Sequence, residues 1–369
     1  MLKFFNILSE DKGTEARLAT LKTLHGTINT PAFIPDATYG AVKHLSSKEL
    51  QNLGLQILLG NIYHLGLRPG TKTISKLGGL HSFMNWQKPI ITDSGGFQVF
   101  SLVYKNKMGK VLKDGIVFKD HLSGKKYFLT PKKSISMQLQ ANSDILMVLD
   151  YPVFGHSNSK DNQESVALTT SWARDSKLAF DQLNKKNGRI LMAIIQGANS
   201  KIMRKKSFQQ LESIFSFPGY GFGGPPLNKK ILKYTANLIP ENRVRYVMGG
   251  GTPKDILESV SFGWDLFDCV IPTRNARHGL LYTFNGELRI SQVKYKLDRK
   301  PIEKDCPCEA CTSYSRAYLR HLFKVSEPLA QRLLSLHNLT FYIRFMEKIR
   351  ESIKNKSFSS FYKQVLKKY

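Results

Sequence analysis

The sequence has few cysteines, few acidic residues and no long apolar run. No stretch approaches the roughly 20 apolar residues of a membrane-spanning helix, which argues against a transmembrane protein of that kind. Residues 1–17 contain no long apolar core either, so no secretory signal is visible. The four cysteines are too few for a disulfide framework and fit a reduced compartment. We therefore expect a cytoplasmic protein.

Acidic residues are strongly outnumbered: 28 Asp and Glu stand against 55 Lys and Arg, a formal net charge of +27. This balance favours a polyanionic partner such as nucleic acid, because binding to phosphates releases their counterions. A basic, AT-biased proteome also produces high lysine counts, and composition alone leaves that alternative open. With 41% hydrophobic residues over 369 positions, the chain is long enough for one large α/β domain or two ordinary ones.

Apolar, strand-like runs recur along most of the chain, with room for a helix in most intervals. The runs are Pro31–Pro35, Leu55–Leu59, Pro89–Thr92, Asp144–Leu149, Arg189–Ile195, Gly219–Phe222, Val244–Met248 and Trp264–Phe267. This pattern predicts an α/β fold, a (β/α)8 TIM barrel. A doubly wound open sheet is the main alternative.

The ends of these runs carry polar residues or glycine. In a barrel the C-terminal strand ends converge on one mouth. Asp93, Asp150, Gln196, Gly224 and Asp268 are then expected to face one pocket despite their separation in sequence.

The rhythm of strands is interrupted at about 104–133. Ile116–Phe118 and Tyr127–Leu129 flank Ser123-Gly124, a pattern that predicts an inserted hairpin. Lysines crowd this segment against only two aspartates. The insert is therefore either a phosphate-contacting flap or a solvated lysine-rich surface, and the sequence leaves both open.

Three cysteines and one histidine form a metal signature near the C-terminus. Cys306, Cys308 and Cys311 lie within six residues, and His337 follows. Three thiolates and one imidazole complete a tetrahedral Zn²⁺ shell without an open position, so we expect one structural zinc ion per chain. His321 is the rival fourth ligand. We favour His337 because it lies just ahead of a predicted closing helix.

The predicted division into domains follows from these segments. The barrel occupies residues 1–300 and includes the basic hairpin insert. Residues 301–338 form the zinc-binding subdomain. Apolar residues at helical spacing then predict that residues 339–369 form a closing helix and a basic tail packed on the barrel.

One carboxylate lies inside an apolar run, at Asp268 in Phe267–Gly279, and Arg274 and Arg277 follow it. Burial of an ionised carboxylate is costly unless a partner compensates, so the segment indicates a reacting acid beside an anion site. From this segment alone, an Asp that caps a turn or pairs with Arg274 is an equally good interpretation.

Several motifs together match one known family. They are Thr38-Tyr-Gly40, Gly60-Asn61 with His64, Leu67-Arg-Pro-Gly70, Thr92-Asp-Ser-Gly-Gly-Phe-Gln98, Ile195-Gln-Gly197, Phe267–Arg274, the three-cysteine cluster and Leu336-His-Asn338. On these residues the chain closely resembles tRNA-guanine transglycosylases, also called queuine tRNA-ribosyltransferases, nearly from end to end. The resemblance implies a (β/α)8 barrel with a zinc subdomain near its C-terminus.

The resemblance also implies a reaction, the pentosyl transfer of queuosine tRNA modification. Guanine at the wobble position of tRNAs with GUN anticodons is exchanged for a 7-deazaguanine. Asp268 matches the family's nucleophile, which forms a covalent bond to the ribose. Asp93 matches the general acid/base that serves the leaving and incoming bases. The family is commonly homodimeric, so a homodimer is implied as well.

The base pocket carries over residue by residue. Asp150 matches the carboxylate that accepts hydrogen bonds from the Watson–Crick edge of guanine, and Gln196 and the Gly224 amide match contacts to O6. Phe97 and Met248 match the two faces that sandwich the ring. Without the family, both would be assigned to the barrel core.

Further positions match the surroundings of the nucleotide. Asn61, Ser94 and Gln98 match residues near the ribose and Asp93. The resemblance assigns Arg274 and Arg277 mainly to RNA binding, at the anticodon nucleotides beside the wobble position.

The chain departs from the family pattern on one side of the pocket. Where members usually have Gly-Gly-Leu-Ala-Val-Gly-Glu, this chain has Gly223-Gly224-Pro225-Pro226-Leu227-Asn228-Lys229. In usual members the glutamate helps to accommodate the cationic arm of 7-aminomethyl-7-deazaguanine. Its replacement by Lys229 leaves open whether the incoming base is that compound or queuine, and we expect an altered preference.

Two functions of other classes compete with this interpretation. A non-catalytic tRNA-binding subunit of the same fold would lack a catalytic carboxylate, whereas Asp93 and Asp268 are both present. A barrel metallohydrolase would need a cluster of histidines at the strand ends, where this chain has Asp, Asn and Gln.

Overall fold

The computed structural model describes residues 4–106, 108–120, 123–153, 157–224 and 228–369. The chain begins with an antiparallel sheet. Its strands, in spatial order, are β1 Phe5–Glu10, β2 Arg17–Thr23 and β3 Gly26–Thr30. Arg17 attaches this sheet to the barrel, because its Nε and Nη2 donate to the carboxylate of Asp265 at 2.9 and 2.6 Å. Both side chains are buried.

Within the described part of the chain, eight parallel strands close into a barrel. They are β4 Ala32–Ala37, β5 Leu58–Gly60, β6 Ile90–Thr92, β10 Ile145–Met147, β11 Ile190–Ile195, β12 Gly219–Phe222, β13 Val244–Val247 and β14 Leu266–Cys269. Strand β14 pairs with β4, and β6 pairs with β10, which closes the ring. The predicted barrel is confirmed, and the open-sheet alternative is wrong.

The barrel strands are apolar because both of their faces are covered. All six residues of β11 are buried, as are all four of β12 and all four of β13. Side chains from the strands fill the interior, and helices cover the outside. A parallel barrel therefore gives continuous apolar runs in the sequence instead of an alternating pattern.

The described helices mostly follow the barrel strands and cover them, and the last four belong to the C-terminal part. They are α1 Ser47–Asn52, α2 Ile62–Leu67, α3 Thr71–Lys76, α4 Gly79–Met84, α5 Gly96–Asn106, α6 Pro131–Gln140, α7 Ser159–Leu183, α8 Lys201–Ile214, α9 Lys229–Leu238, α10 Pro253–Ser261, α11 Ile271–Arg277, α12 Glu309–Ser313, α13 Arg316–Lys324, α14 Pro328–Lys354 and α15 Phe358–Leu366. Polar caps fix several starts: Ser46 and Thr252 each form a capping box. Among the described residues, no helix combines the length and apolar character needed to cross a membrane.

A small antiparallel sheet is inserted between α5 and α6. Its strands are β7 Gly109–Leu112, β8 Gly115–Lys119 and β9 Lys126–Leu129, in that spatial order. Strands β8 and β9 cover the two runs from which we expected a hairpin, and β7 adds a third strand.

The C-terminal part consists of a ribbon and helices. The ribbon pairs β15 Leu280–Thr283 with β16 Gly286–Arg289, and a 3₁₀ turn follows at Val293–Tyr295. Helix α14 then packs against α11, β15 and β4. Because α14 is continuous from Pro328 to Lys354, the boundary we expected after residue 338 falls inside one helix.

Candidate active site and metal centre

Polar side chains from different strands meet at the C-terminal mouth of the barrel. Asp36 is the residue before the last one of β4, and Asp268 is the residue before the last one of β14. The other positions directly or closely follow β5, β6, β10 and β11, and they are Asn61, Asp93, Asp150 and Gln196. The barrel topology, not sequence proximity, brings these groups together.

Asp268 is held by two hydrogen bonds from the neighbouring strand β13 and the loop after it. The Tyr246 hydroxyl donates to Asp268 Oδ1 at 2.6 Å, and the Gly249 amide donates to the same oxygen at 3.1 Å. Both bonds use Oδ1, which leaves Oδ2 available to a ligand. Burial raises the pKa of Asp268 to about 6, although these two hydrogen bonds lower it. The carboxylate is therefore mainly ionised at neutral pH.

Asp93 is the second acid of the mouth and is bonded from the β5 side. Asn61 Nδ2 donates to Asp93 Oδ2 at 2.7 Å, and the Ile62 amide donates to Oδ1 at 2.8 Å. Burial raises the pKa of Asp93 to about 8. The hydrogen bond from the Ile62 amide lowers this pKa, whereas the negative charges of Asp36 and Asp268 raise it. At neutral pH this group is mainly a protonated acid.

Asn61 is fixed from both ends of its amide. Its Oδ1 accepts a hydrogen bond from the His64 amide at 3.1 Å and so caps α2. Its Nδ2 is thereby turned toward Asp93. The family resemblance implies that Asn61 lies near Asp93, and in the structure the two side chains share a hydrogen bond.

Asp36 is a third carboxylate at the mouth. Thr38 Oγ1 donates to Asp36 Oδ1 at 2.8 Å. Burial raises the pKa of Asp36, whereas the hydrogen bonds from Thr38 and the positive charge of Arg274 lower it. Its charge in turn raises the pKa of both Asp93 and Asp268. Asp36 directly follows the apolar run Pro31–Pro35, and no role was predicted for it from the sequence.

The predicted base pocket contains a connected set of polar groups. Gln196 Nε2 donates to Asp150 Oδ2 at 2.8 Å, and Ser94 Oγ donates to Asp150 Oδ1 at 3.3 Å. Burial raises the pKa of Asp150 to about 7, against these two bonds. Gln196 Oε1 is buried without a hydrogen-bond partner among the described residues. The polar groups of this pocket are thus hydrogen-bonded to one another.

Glycines let the backbone approach this pocket. A Cβ atom at Gly96 would lie 2.7 Å from the Asp150 carbonyl oxygen and 2.8 Å from its Oδ1. Helix α5 can therefore begin this close to Asp150 only with glycine at its first position. Gly224 has φ +85°, a backbone conformation that glycine adopts readily.

The two residues expected to sandwich the base differ in exposure. Phe97, on the first turn of α5, is 49% exposed, and Met248, directly after β13, is partly buried. An exposed aromatic ring at an otherwise buried mouth is typical of a stacking surface. Gln98 follows Phe97 and is partly buried. Pro225 and Pro226 lie outside the described residues.

Arg274 and Arg277 lie on α11, which begins two residues after β14. Arg274 is exposed, and its charge lowers the pKa of Asp36. Arg277 is partly buried. The pKa of His44 is lowered mainly by burial and further by the positive charge of Arg277. Arg274 is therefore near the end of β4 and Arg277 near the loop that follows it, at the rim of the mouth.

Tyr246 is the residue that sequence reasoning missed most clearly. It is fully buried in β13 and was counted as part of an apolar run. Because side chains alternate along a strand, Tyr246 and Met248 lie on the same face. That alternation was the signal that could have placed the Tyr246 hydroxyl beside the pocket.

The predicted metal ligands form a separate, buried group. His337 Nδ1 lies 3.7, 3.7 and 3.3 Å from the Sγ atoms of Cys306, Cys308 and Cys311. Its Nε2 contacts the Tyr282 carbonyl oxygen at 2.9 Å. A proton on Nε2 leaves the Nδ1 lone pair directed at the thiols, as a metal ligand requires.

The dimensions of this group fit a tetrahedral ion. Zn–S and Zn–N bonds of about 2.3 and 2.0–2.1 Å put tetrahedral ligand atoms about 3.5–3.8 Å apart. The four residues are buried, and their ligand atoms lie within 4.8 Å of one another. The three cysteines are free thiols. The predicted ligand set is confirmed as a group that can hold a metal ion. His321 is exposed on α13, so the rival ligand is excluded.

Known proteins match the chain over almost its full length. The model of the family described as queuine tRNA-ribosyltransferase matches residues 11–369. The chain belongs to the queuine tRNA-ribosyltransferase family. A relative of that name from Dictyoglomus turgidum is 44% identical over 373 residues, which cover 99% of this chain and 94% of the relative.

Other family members give the same result. The queuine tRNA-ribosyltransferase of Blochmanniella floridana is 46% identical over 364 residues, which cover 97% of this chain and 94% of the relative. That of Fusobacterium nucleatum is 44% identical over 367 residues, which cover 98% and 97%. Family membership makes this chain a pentosyltransferase with tRNA-guanine transglycosylase function.

Proposed function

We propose that this chain exchanges guanine at the wobble position of GUN-anticodon tRNAs for a 7-deazaguanine through a covalent ribosyl bond to Asp268. The observation that carries the proposal is that two acids at one barrel mouth, Asp268 and Asp93, differ in protonation state at neutral pH. The pKa of Asp268 is about 6 and that of Asp93 about 8. Between these values one acid is a nucleophile and the other a proton donor.

In the first half-reaction Asp268 Oδ2 attacks the anomeric carbon of the ribose. The bond from that carbon to the guanine breaks, its electrons leave with the base, and Asp93 donates a proton to the base. In the second half-reaction Asp93 takes a proton from the incoming base, which attacks the same carbon and releases the Asp268 carboxylate. Two inversions give net retention at the anomeric carbon.

The same proposal gives the pocket residues their roles. Asp150, Gln196 and the Gly224 amide hold the polar edge of the base, and Phe97 and Met248 cover its faces. Asn61, Ser94 and Gln98 lie around the ribose and Asp93. Gln196 Nε2 carries two N–H groups, so one can stay on Asp150 Oδ2 while the other donates to O6 of the base.

A trapping experiment tests the nucleophile. The chain is incubated with a GUN-anticodon tRNA and run on a denaturing gel beside Asp268→Asn. We expect a covalent protein–RNA band with the native chain only. Exchange that survives in Asp268→Asn would overturn the assignment of the nucleophile, and a native chain without any exchange would favour the non-catalytic tRNA-binding subunit.

We propose an altered preference for the incoming base, with queuine as a direct substrate. Lys229, which replaces the usual glutamate, places its Nζ 2.6 Å from Glu258 Oε1. This position therefore offers no free carboxylate to a cationic arm. Competition of queuine and 7-aminomethyl-7-deazaguanine against radiolabelled guanine in tRNA tests this. Exclusive uptake of the aminomethyl base would overturn it, and Lys229→Glu, with Lys229→Gln as control, should increase use of that base.

Three other expectations complete the proposal. The ion held by the three cysteines and His337 is Zn²⁺, because soft thiolates with one imidazole in a closed tetrahedral shell suit that metal. The protein is a homodimer in the cytoplasm, as the family resemblance implies. Metal analysis and sedimentation of the purified chain test the first two points directly.

A further inference from the structure

The inserted sheet of β7, β8 and β9, here called the basic sheet, is fixed to the rim of the barrel mouth. Its buried residues Ile116, Phe118 and Leu129 share one hydrophobic cluster with Tyr63 and Tyr151. Tyr63 comes two residues after Asn61, and Tyr151 directly follows Asp150. The sheet is therefore packed against the two chain segments that carry site residues.

A second contact holds the sheet from its outer side. Trp172 of α7 donates its indole N–H to the Lys113 carbonyl oxygen at 2.7 Å, and its side chain is buried. The Tyr63 and Phe118 rings lie 5.4 Å apart. These contacts give the lysines of the sheet a defined position relative to the mouth.

The exposed surface of the basic sheet concentrates positive charge. Lys119 and Lys126 face each other directly across β8 and β9. Directly opposed like charges destabilise a strand pair. Lys125 and Lys133 both lie over the Tyr127 ring, 5.8 and 5.9 Å from its centroid. All four lysines are exposed, Lys133 at the start of α6 beside the sheet, and fold stability does not explain the direct opposition of Lys119 and Lys126.

Neighbouring acids do not neutralise these lysines. Asp120 is buried and accepts hydrogen bonds from the backbone and side chain of Ser123. Arg68 is its cationic neighbour, at 4.0 Å. In the described part of the chain, no carboxylate lies within ion-pair distance of Lys119, Lys125, Lys126 or Lys133.

The basic sheet and the arginine rim lie on different sides of the mouth. The order β14-β4-β5-β6 in the ring of eight strands separates them by three strand steps. Arg274 and Arg277 follow β14, whereas the basic sheet follows β6 and α5. A polyanion that crosses the mouth would therefore meet cations on both sides.

We propose that the basic sheet binds the sugar-phosphate backbone of the RNA substrate, across the mouth from Arg274 and Arg277. The inference rests on the proposed function and assigns a second contact region to the same substrate. Phosphates would supply the negatively charged partners for the opposed Lys119 and Lys126. Tyr127 and the exposed Phe128 add rings next to these cations, a combination common at RNA-binding surfaces.

The double variant Lys119→Gln, Lys126→Gln tests the inference. Exchange is measured on full-length GUN-anticodon tRNA over a range of salt concentrations. We expect the KM for tRNA to rise about tenfold near 100 mM salt, with kcat and the KM for the free base unchanged. The slope of log KM against log salt should fall by about 1.5, the contribution of about two phosphate contacts.

Two controls separate this effect from a general loss of charge or structure. Lys22→Gln, Lys185→Gln removes the same charge from exposed positions on β2 and after α7, away from the mouth, and should leave the KM for tRNA unchanged. Lys119→Arg, Lys126→Arg should keep the native KM. An unchanged KM and salt slope in the glutamine variant, or an equal change in the control, would overturn the inference. Failure of the proposed function gives a different result, a native chain without exchange.

Discussion

The Tyr246 hydroxyl donates a 2.6 Å hydrogen bond to Asp268 Oδ1 across adjacent barrel strands. This bond and the Gly249 amide favour the ionised carboxylate against its burial. Tyr246 is itself buried, so its hydroxyl is not exposed to solvent. The ionised state of Asp268 thus depends on a neighbour that makes no predicted contact with the substrate.

Removal of that hydroxyl should change the pH dependence of the reaction. In Tyr246→Phe the pKa of Asp268 rises by about one unit, so the acidic limb of kcat/KM moves to higher pH. Activity at pH 6 falls about fivefold, because the ionised fraction of Asp268 falls from about one half to about one tenth, and it recovers at higher pH. The control is Tyr220→Phe on β12, whose hydroxyl bonds to Glu212 instead of the site. An equal loss at every pH would point to a structural effect only.

The native chain should show a bell-shaped pH profile. The pKa of Asp268, about 6, and that of Asp93, about 8, predict limbs near these values in kcat/KM on tRNA. Because the two acids interact, the limbs belong to the pair. A profile that rises continuously through pH 9 would contradict the role of Asp93 as the acid.

Asp36 should set the position of both limbs. In Asp36→Asn a negative charge disappears, so the ionised forms of Asp93 and Asp268 become easier to reach and both pKa values fall. We expect both limbs to move toward acid by about half a unit. The measurement is the same pH profile, with Asp181→Asn on the exposed end of α7 as a charge-matched control. Limbs that stay in place would contradict electrostatic coupling of Asp36 to the site.

Ionisation of the Asp150 carboxyl group should make the folded chain less stable as the pH rises. Its pKa is raised in the folded chain to about 7, so the folded state binds the proton more tightly than the unfolded state. The associated stability is present below about pH 4 and is lost as the pH rises through 7. Asp150→Asn cannot ionise at this position and so does not lose this stability. The difference in the free energy of unfolding between the variant and the native chain should therefore shift in favour of the variant by roughly 1 to 4 kcal/mol between pH 4 and 8. Denaturant unfolding at both pH values measures it; a pH-independent difference would contradict the shifted pKa.

Loss of the metal should unfold the C-terminal part of the chain. Purified protein is expected to contain one zinc ion per chain, and His337→Ala should lose it and lose several kcal/mol of stability. His321→Ala, at the exposed histidine of α13, is the matched control and should keep both. Metal content and thermal unfolding are the measurements. Full stability in metal-free His337→Ala would contradict a structural role.

The barrel could be predicted because buried parallel strands produce continuous apolar runs, and β11 and β12 show this directly. The sheet of β1 to β3 was missed, since its strands alternate buried and exposed residues and were not among the apolar runs. Tyr246 and Asp36 were missed for a different reason. Their roles depend on which side chains meet across strands, and strand register is not visible in one sequence.

The bond between Gln196 and Asp150 bears on the order of events in the proposed cycle. After guanine departs, the covalent intermediate must wait with an empty pocket until another base arrives. In that interval Gln196 and Ser94 both donate to Asp150, so its carboxyl group keeps its hydrogen bonds while no base is bound. The two bases need never be present together, and the kinetics should be of the ping-pong type, with a self-paired pocket between the two half-reactions.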